Sequence, residues 1–122
     1  MEIVNQPPAI QFTQVQKNRR EKIIPIISRD VKVLEIGPAM SPTLYKSEYN
    51  ISFLDYINRE DQRKYCQTED DYLRVPETDI LVTSDQYTAF VSECYDCIIA
   101  NHVIEHVSDV IGFFTRIGNY AC

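Results

Sequence analysis

The chain has 122 residues, which is enough for one domain with a single modest core. Its residues are 44% hydrophobic and 25% charged, a balance that is typical of a folded globular protein and excludes a disordered segment. The formal net charge of -6 provides no broad positive surface for a phosphate backbone, so a general nucleic-acid-binding protein is disfavoured. We expect a small-molecule or protein partner.

The start of the chain has no basic region followed by an apolar stretch, so it does not have the pattern of a signal peptide, and no apolar run reaches membrane-spanning length. We therefore expect a cytoplasmic protein whose four cysteines, Cys66, Cys94, Cys97 and Cys122, remain thiols. The pair Cys94 and Cys97 also has the spacing of redox and zinc sites. A zinc site would need a second pair of ligands, however, and Cys97 lies in an apolar run that is typical of a strand.

Polar segments with one apolar edge predict helices. The first covers residues 12–24, and Pro25 should end or kink it. Asn58 can cap a polar helix over residues 59–66, and Ser108 can cap a final helix with an apolar side. Residues 86–91 can form a further short helix.

Four short apolar runs predict strands: residues 31–36 (VKVLEI), 51–54 (ISFL), 79–82 (DILV) and 97–100 (CIIA). Such strands, separated by helical or irregular connections, are typical of a parallel sheet covered on both faces, so the predicted fold class is α/β, with a Rossmann-like parallel sheet and helices on both faces. Ligands of these sheets bind outside the carboxyl ends of the strands. The residues directly after each run are therefore the candidates for a site.

The first strand ends in a tight turn with small side chains, Gly37-Pro38-Ala39-Met40-Ser41, which allows a ligand to approach the backbone. Asp55 follows the second strand, 18 positions after Gly37, where a carboxylate can accept hydrogen bonds from both hydroxyls of a ribose. Either residue alone is more simply a turn glycine or a solvated strand end, but the two together favour a nucleoside ligand. Pro42 stands where a dinucleotide-binding turn has its third glycine, so a ligand without phosphates fits better.

The segments VLEIGPAMSPTL, ISFLDYIN and YDCIIANHVIEHVSDVIGFF, in this order, resemble the motifs of class I S-adenosylmethionine-dependent methyltransferases, in the bacterial group with an HVIEHV-like segment after the fourth strand. The resemblance implies the strand order 3-2-1-4, a helical lead-in at residues 1–30, and an incomplete methyltransferase domain, its cofactor-binding half, at residues 31–122. Because a full domain of this class has about seven strands, it also implies an open edge at the fourth strand, through which the chain would self-associate or bind a partner.

The resemblance also implies roles for individual residues. The turn from Glu35 to Ser41 would wrap the methionine part of the cofactor, with Glu35 at its amino end. Asp55 would hold the ribose, Tyr56 would flank the adenine, and the backbone of Asn101 would face the methionine amine. The implied cofactor-binding residues are Glu35, Gly37, Ala39, Ser41, Asp55, Tyr56 and Asn101. Where the family often has three glycines, this chain keeps only Gly37.

The segment from His102 to His106, with Glu105 between them, has the H-x-x-E-H spacing of one class of zinc proteases. Those proteases carry the motif on a longer helix and need a further ligand, whereas His102 directly follows a strand and the chain has no third histidine. Some methyltransferases bind a divalent ion with a similar cluster, but Glu105 and His106 are interpreted as structural and no metal ligand is predicted. His102 is the predicted catalytic residue, because an imidazole at a strand tip can accept a substrate proton.

The predicted function is methyl transfer from S-adenosylmethionine to an oxygen, nitrogen or carbon atom of an acceptor, most simply a small molecule, held in line with the sulfonium methyl group. The alternative is a catalytically inactive fragment or interaction module that retains the fold. Binding of the cofactor distinguishes the two.

Overall fold

The computed structural model describes residues 10–82, 93–101 and 117–122. In these residues a helix and a 3-10 turn precede four strands, with two short helices between the second and third strands. In chain order the elements are α1 (Gln14–Ile23), the 3-10 turn (Ile24–Ile26), β1 (Val33–Ile36), β2 (Ile51–Asp55), α2 (Arg59–Arg63), α3 (Glu69–Arg74), β3 (Ile80–Leu81) and β4 (Cys97–Ala100). No helix in the described ranges is long and apolar enough to cross a membrane.

The four strands form one sheet in the order β3-β2-β1-β4, and all neighbouring pairs are parallel. Val33 of β1 pairs with Ile51 of β2 on one side and with Cys97 of β4 on the other, so these three strands run in step. The α/β class and the strand order expected from the sequence are thus confirmed. β3 is shorter than predicted, since only Ile80 and Leu81 pair with β2.

The helices follow the predicted capping signals, with shorter bounds. The side chain of Thr13 caps α1, and the chain tightens into the 3-10 turn that contains Pro25, so α1 ends one residue before the predicted limit. Asn58 caps α2 as predicted, but α2 ends at Arg63 and the following turns are closed by shorter-range hydrogen bonds. α3 was not predicted, although Thr68 and the three acidic residues after it are a clear helix-start signal. The helices expected at residues 86–91 and after Ser108 lie outside or largely outside the described residues.

Both faces of the sheet are covered, as the nearly continuous apolar strands predicted. One face packs Leu34 and Leu54 against Tyr120 near the end of the chain. The other packs Val33 and Phe53 against the chain that surrounds the 3-10 turn and against the segment between β1 and β2. Side chains alternate between faces along β1, so Glu35 lies on the same face as Val33, toward α1. This alternation aims a carboxylate at the first helix.

A buried glutamine joins α1 to the segment between β1 and β2. Gln16 is fully buried, and its Nε2 donates to the carbonyl oxygen of Pro42 at 2.8 Å and to the hydroxyl of Tyr45 at 3.1 Å. Its Oε1 accepts from the backbone N–H of Thr13 at 3.0 Å. The Tyr45 hydroxyl in turn donates to the carbonyl oxygen of Arg74 at 3.0 Å. One side chain therefore holds α1, the turn region and the end of α3 together.

The expectation that all four cysteines are thiols is wrong for two of them. Cys94 and Cys122 form a disulfide, while Cys66 and Cys97 are free. The end of the chain runs parallel to the residues before β4, where the backbone N–H of Tyr95 donates to the carbonyl oxygen of Tyr120 at 2.8 Å. This pairing, between residues distant in sequence, brings the two sulfur atoms together, and the sequence carried no local signal for it.

We predict that Gln16→Ala lowers the free energy of unfolding by about 2 kcal/mol, because the Pro42 carbonyl and the Tyr45 hydroxyl lose a buried donor. Denaturant unfolding of the two proteins measures the difference. The matched control is Gln14→Ala, since Gln14 is exposed on the same helix and should change stability by less than about 0.5 kcal/mol. Equal effects of the two substitutions would show that Gln16 does not anchor α1.

Candidate cofactor-binding site

A cleft of about 260 Å³ lies at the carboxyl ends of β1, β2 and β4, and we call it the strand-end cleft. All seven residues that the sequence predicted to bind a cofactor line it. The complete lining is Arg19, Glu35, Gly37, Pro38, Ala39, Ser41, Asp55, Tyr56, Ile57, Gln62 and Asn101. The structure thus brings the predicted residues together at the predicted edge of the sheet, while the role of each one stays a prediction.

The turn after β1 forms the floor of the strand-end cleft with two residues in the left-handed region. Gly37 has φ 63°, and its N–H donates to the carbonyl oxygen of Leu54 at 2.8 Å. Ala39 has φ 50°, a conformation that costs a residue with a Cβ about 1 kcal/mol. Ala39 therefore keeps the backbone shape of a glycine position while adding only a methyl group.

Asp55 connects the end of β2 to this turn. One carboxylate oxygen accepts from the N–H of Ala39 at 3.1 Å, and the other accepts from the N–H of Tyr56 at 2.8 Å. Asp55 is only 3% exposed, so it is not a solvated strand end. Burial raises the pKa of Asp55, and the backbone donors partly oppose that rise. The backbone N–H of Ile57 also interacts with this carboxylate. Because a carboxylate has about four acceptor positions, at least one is left for a ligand.

Glu35 is buried at the back of the strand-end cleft and is held mainly by Thr43. The N–H of Thr43 donates to both carboxyl oxygens, at 2.8 and 3.1 Å, and the Thr43 hydroxyl lies 3.1 Å from one of them. Asn101 Nδ2 donates to the same hydroxyl at 3.0 Å. Burial raises the pKa of Glu35 to about 7, against the opposing effects of the Thr43 hydrogen bonds and the charge of Arg19. Thr43 thus fixes two of the predicted site residues, although it was not singled out from the sequence.

Arg19 is the main lining residue that the sequence did not reveal. It comes from α1, and its Nη1 donates to the carbonyl oxygen of Ser41 at 2.7 Å. The basic character of this helix was apparent from Lys17, Arg19 and Arg20. Nothing in the local pattern indicated which of the three faces the sheet, because that depends on how Gln16 docks the helix.

A second cleft, of about 520 Å³, adjoins the first and shares Tyr56 and Ile57 with it. We call it the Tyr56 cleft. It extends along the start of α2 to the exposed side chain of Leu81 in β3. Its lining is Tyr56, Ile57, Asn58, Asp61, Lys64, Tyr65 and Leu81. Two joined clefts therefore cross the ends of the strands from β4 to β3.

The predicted catalytic residue His102, together with Glu105 and His106, lies outside the described residues. Within the ranges that the structure does describe, no group of three or more His, Cys, Asp or Glu side chains is placed to hold a metal ion.

The raised pKa of Glu35 predicts a pH-dependent stability. Since the folded chain holds this proton more tightly than the unfolded chain, the contribution is complete below pH 4.5 and is lost as the pH rises through about 7. We expect Glu35→Gln to remove a stability loss on the order of 3 kcal/mol over that interval, measured by urea unfolding at several pH values. Glu21→Gln, on the exposed side of α1, is the control. A pH profile that Glu35→Gln leaves unchanged would contradict the assignment.

Comparison with known proteins supports the fold independently. No protein-family model and no curated protein matches the sequence. The chain is similar in structure to the crystal structure of the glycopeptide N-methyltransferase MtfA, with a TM-score of 0.57 and 12% sequence identity. The match covers 88% of this chain and 49% of the other, so the chain spans about half the length of that protein. The chain therefore shares a Rossmann-like α/β fold with part of that protein.

Proposed function

We propose that the chain binds S-adenosylmethionine across the two joined clefts and takes part in transfer of its methyl group. The observation that carries this proposal is the Asp55 carboxylate, buried at the tip of β2 with acceptor capacity left for a ligand, beside a turn of small residues. This is an environment for a ribose next to a group that must approach the backbone closely.

The connection after β1 favours this cofactor over a dinucleotide. A dinucleotide-binding fold places a helix directly after its first turn, and the N-terminus of that helix holds the pyrophosphate. Here the whole segment between Ile36 and Ile51 is described, and it contains turns and no helix. A ligand without phosphates does not need the N-terminus of such a helix, so the absence of a helix here does not weaken its binding.

The adenine, the ribose and the methionine part of S-adenosylmethionine can follow one another along the two clefts, in the order in which they are bonded. The ribose hydroxyls would donate to Asp55, and the adenine would extend past Tyr56 into the Tyr56 cleft, toward Leu81. The methionine part would lie over the turn, between Gly37 and Asn101. Aromatic and aliphatic side chains on either side of a cleft suit a flat base, which gains from apolar contact on both faces.

When bound, the cofactor supplies a methyl group activated by its sulfonium charge. The contribution of this chain is to hold the methyl group and the acceptor atom in line at short range, which removes much of the entropic cost of their encounter. His102 follows Asn101 directly in the chain, and as a neutral imidazole it would accept a proton from an acceptor that must lose one. We propose a small molecule as the acceptor.

We predict micromolar binding of S-adenosylhomocysteine, the demethylated product, in isothermal titration of the purified chain. Asp55→Ala should weaken it at least about tenfold, because charge-assisted hydrogen bonding to the ribose is lost. Asp70→Asn, an exposed carboxylate in α3, is the control and should bind as the unchanged chain does.

Thermal unfolding of each variant establishes that it is folded before its titration is interpreted. A folded, unchanged chain that shows no binding would overturn the proposal and favour the alternative, an inactive module that retains the fold. Tight binding that survives Asp55→Ala would place the ribose elsewhere.

A further inference from the structure

We infer that Arg19 binds the carboxylate of the ligand's amino-acid part and makes the strand-end cleft selective for nucleosides that carry an amino acid. This inference rests on the proposed function and names the group that sets its ligand specificity. The first observation is the position of Arg19. Arg19 projects from α1, lines the strand-end cleft and is half-buried there, across from the ends of the strands.

The second observation is the unused hydrogen-bonding capacity of this guanidinium. An arginine has five N–H donors in a fixed planar fork. One nitrogen of Arg19, Nη1, donates to the carbonyl oxygen of Ser41 at 2.7 Å, and in the described residues no other acceptor is within hydrogen-bond distance. The bond to Ser41 fixes the plane of the fork, so the other donors are already oriented when a ligand arrives.

The third observation is that Arg19 forms neither an ion pair nor a ring contact among the described residues, although its charge acts on the buried Glu35 from beyond ion-pair distance. Arg20, Arg59 and Arg74 each form an ion pair with a carboxylate. Arg29 and Arg63 lie over the rings of Tyr49 and Tyr72. Within the ranges that the structure describes, Arg19 is the one arginine with neither kind of partner. A half-buried cation without an ion-pair partner, in a cleft, favours an anionic ligand.

Glu35 does not form an ion pair with Arg19, although it lines the same cleft. Both of its oxygens are within hydrogen-bond distance of Thr43, and no nitrogen of Arg19 reaches them within ion-pair distance. Glu35 and Asp55 leave the cleft with two carboxylates and one guanidinium. That set disfavours a phosphate dianion and suits a group that carries both charges, with its carboxylate on Arg19 and its ammonium near Glu35.

The test compares two ligands that differ only in the amino-acid part. S-Adenosylhomocysteine carries it, whereas 5′-methylthioadenosine has the same nucleoside and thioether without it. In isothermal titration we expect the unchanged chain to bind the first more tightly. Arg19→Gln should weaken S-adenosylhomocysteine about tenfold and leave 5′-methylthioadenosine within about twofold, as expected for loss of one bidentate ion pair.

Two further variants separate recognition of the carboxylate by Arg19 from a general effect of losing a positive charge on α1. Arg19→Lys retains the charge but not the fork, so its loss for S-adenosylhomocysteine should be smaller than that of Arg19→Gln. Lys17→Gln, exposed two positions earlier on α1 and outside the cleft lining, should change neither affinity.

The outcomes distinguish this inference from the function on which it rests. Equal weakening of both ligands by Arg19→Gln would show that Arg19 only supports the turn at Ser41, and would overturn the inference. Unchanged binding of S-adenosylhomocysteine to Arg19→Gln would overturn it as well, while leaving the proposed function intact. An unchanged chain that binds neither ligand would overturn the proposed function first, and this inference with it.

Discussion

The candidate site depends on the position of β1 between β2 and β4, with all three strands parallel and in step. Parallel pairing places the carboxyl ends of neighbouring strands at one edge, so the residues that follow each strand meet whatever their separation in sequence. Asp55 and Asn101 are 46 positions apart in the chain, yet both line the strand-end cleft. An antiparallel neighbour would have sent one of these residues to the opposite edge.

Backbone donors then convert this edge into a shaped cleft. The carboxylate of Asp55 accepts from the turn after β1, and Glu35 is held through Thr43, whose hydroxyl also holds Asn101. Both carboxyl groups are buried, and burial raises both pKa values, because a charged carboxylate is better solvated in water. The hydrogen bonds to the backbone and to Thr43 hold the two groups in place despite this cost. These groups are oriented before a ligand binds, which lowers the entropic cost of binding.

The first helix also contributes to the site. Gln16 docks α1 over the turn region through two buried hydrogen bonds, and Arg19, three residues later, consequently faces the strand-end cleft. The spacing of three residues puts both side chains on neighbouring parts of one helical face. The cleft therefore has a wall built from a segment that precedes the sheet and that sequence motifs alone did not connect to the cofactor.

The sequence by itself determined the strands, their parallel arrangement and the strand-end positions of the candidate site, because apolar runs, turn glycines and strand-end carboxylates are local patterns with local physical causes. The resemblance of its motifs then named the seven residues predicted to bind a cofactor. Only the tertiary structure decided that Thr43 holds Glu35, that Arg19 faces the cleft and that Cys94 pairs with Cys122. Each of these contacts joins segments that are brought together by packing, and the energy that selects one partner over another comes from burial across the whole fold, which a short window of sequence does not contain.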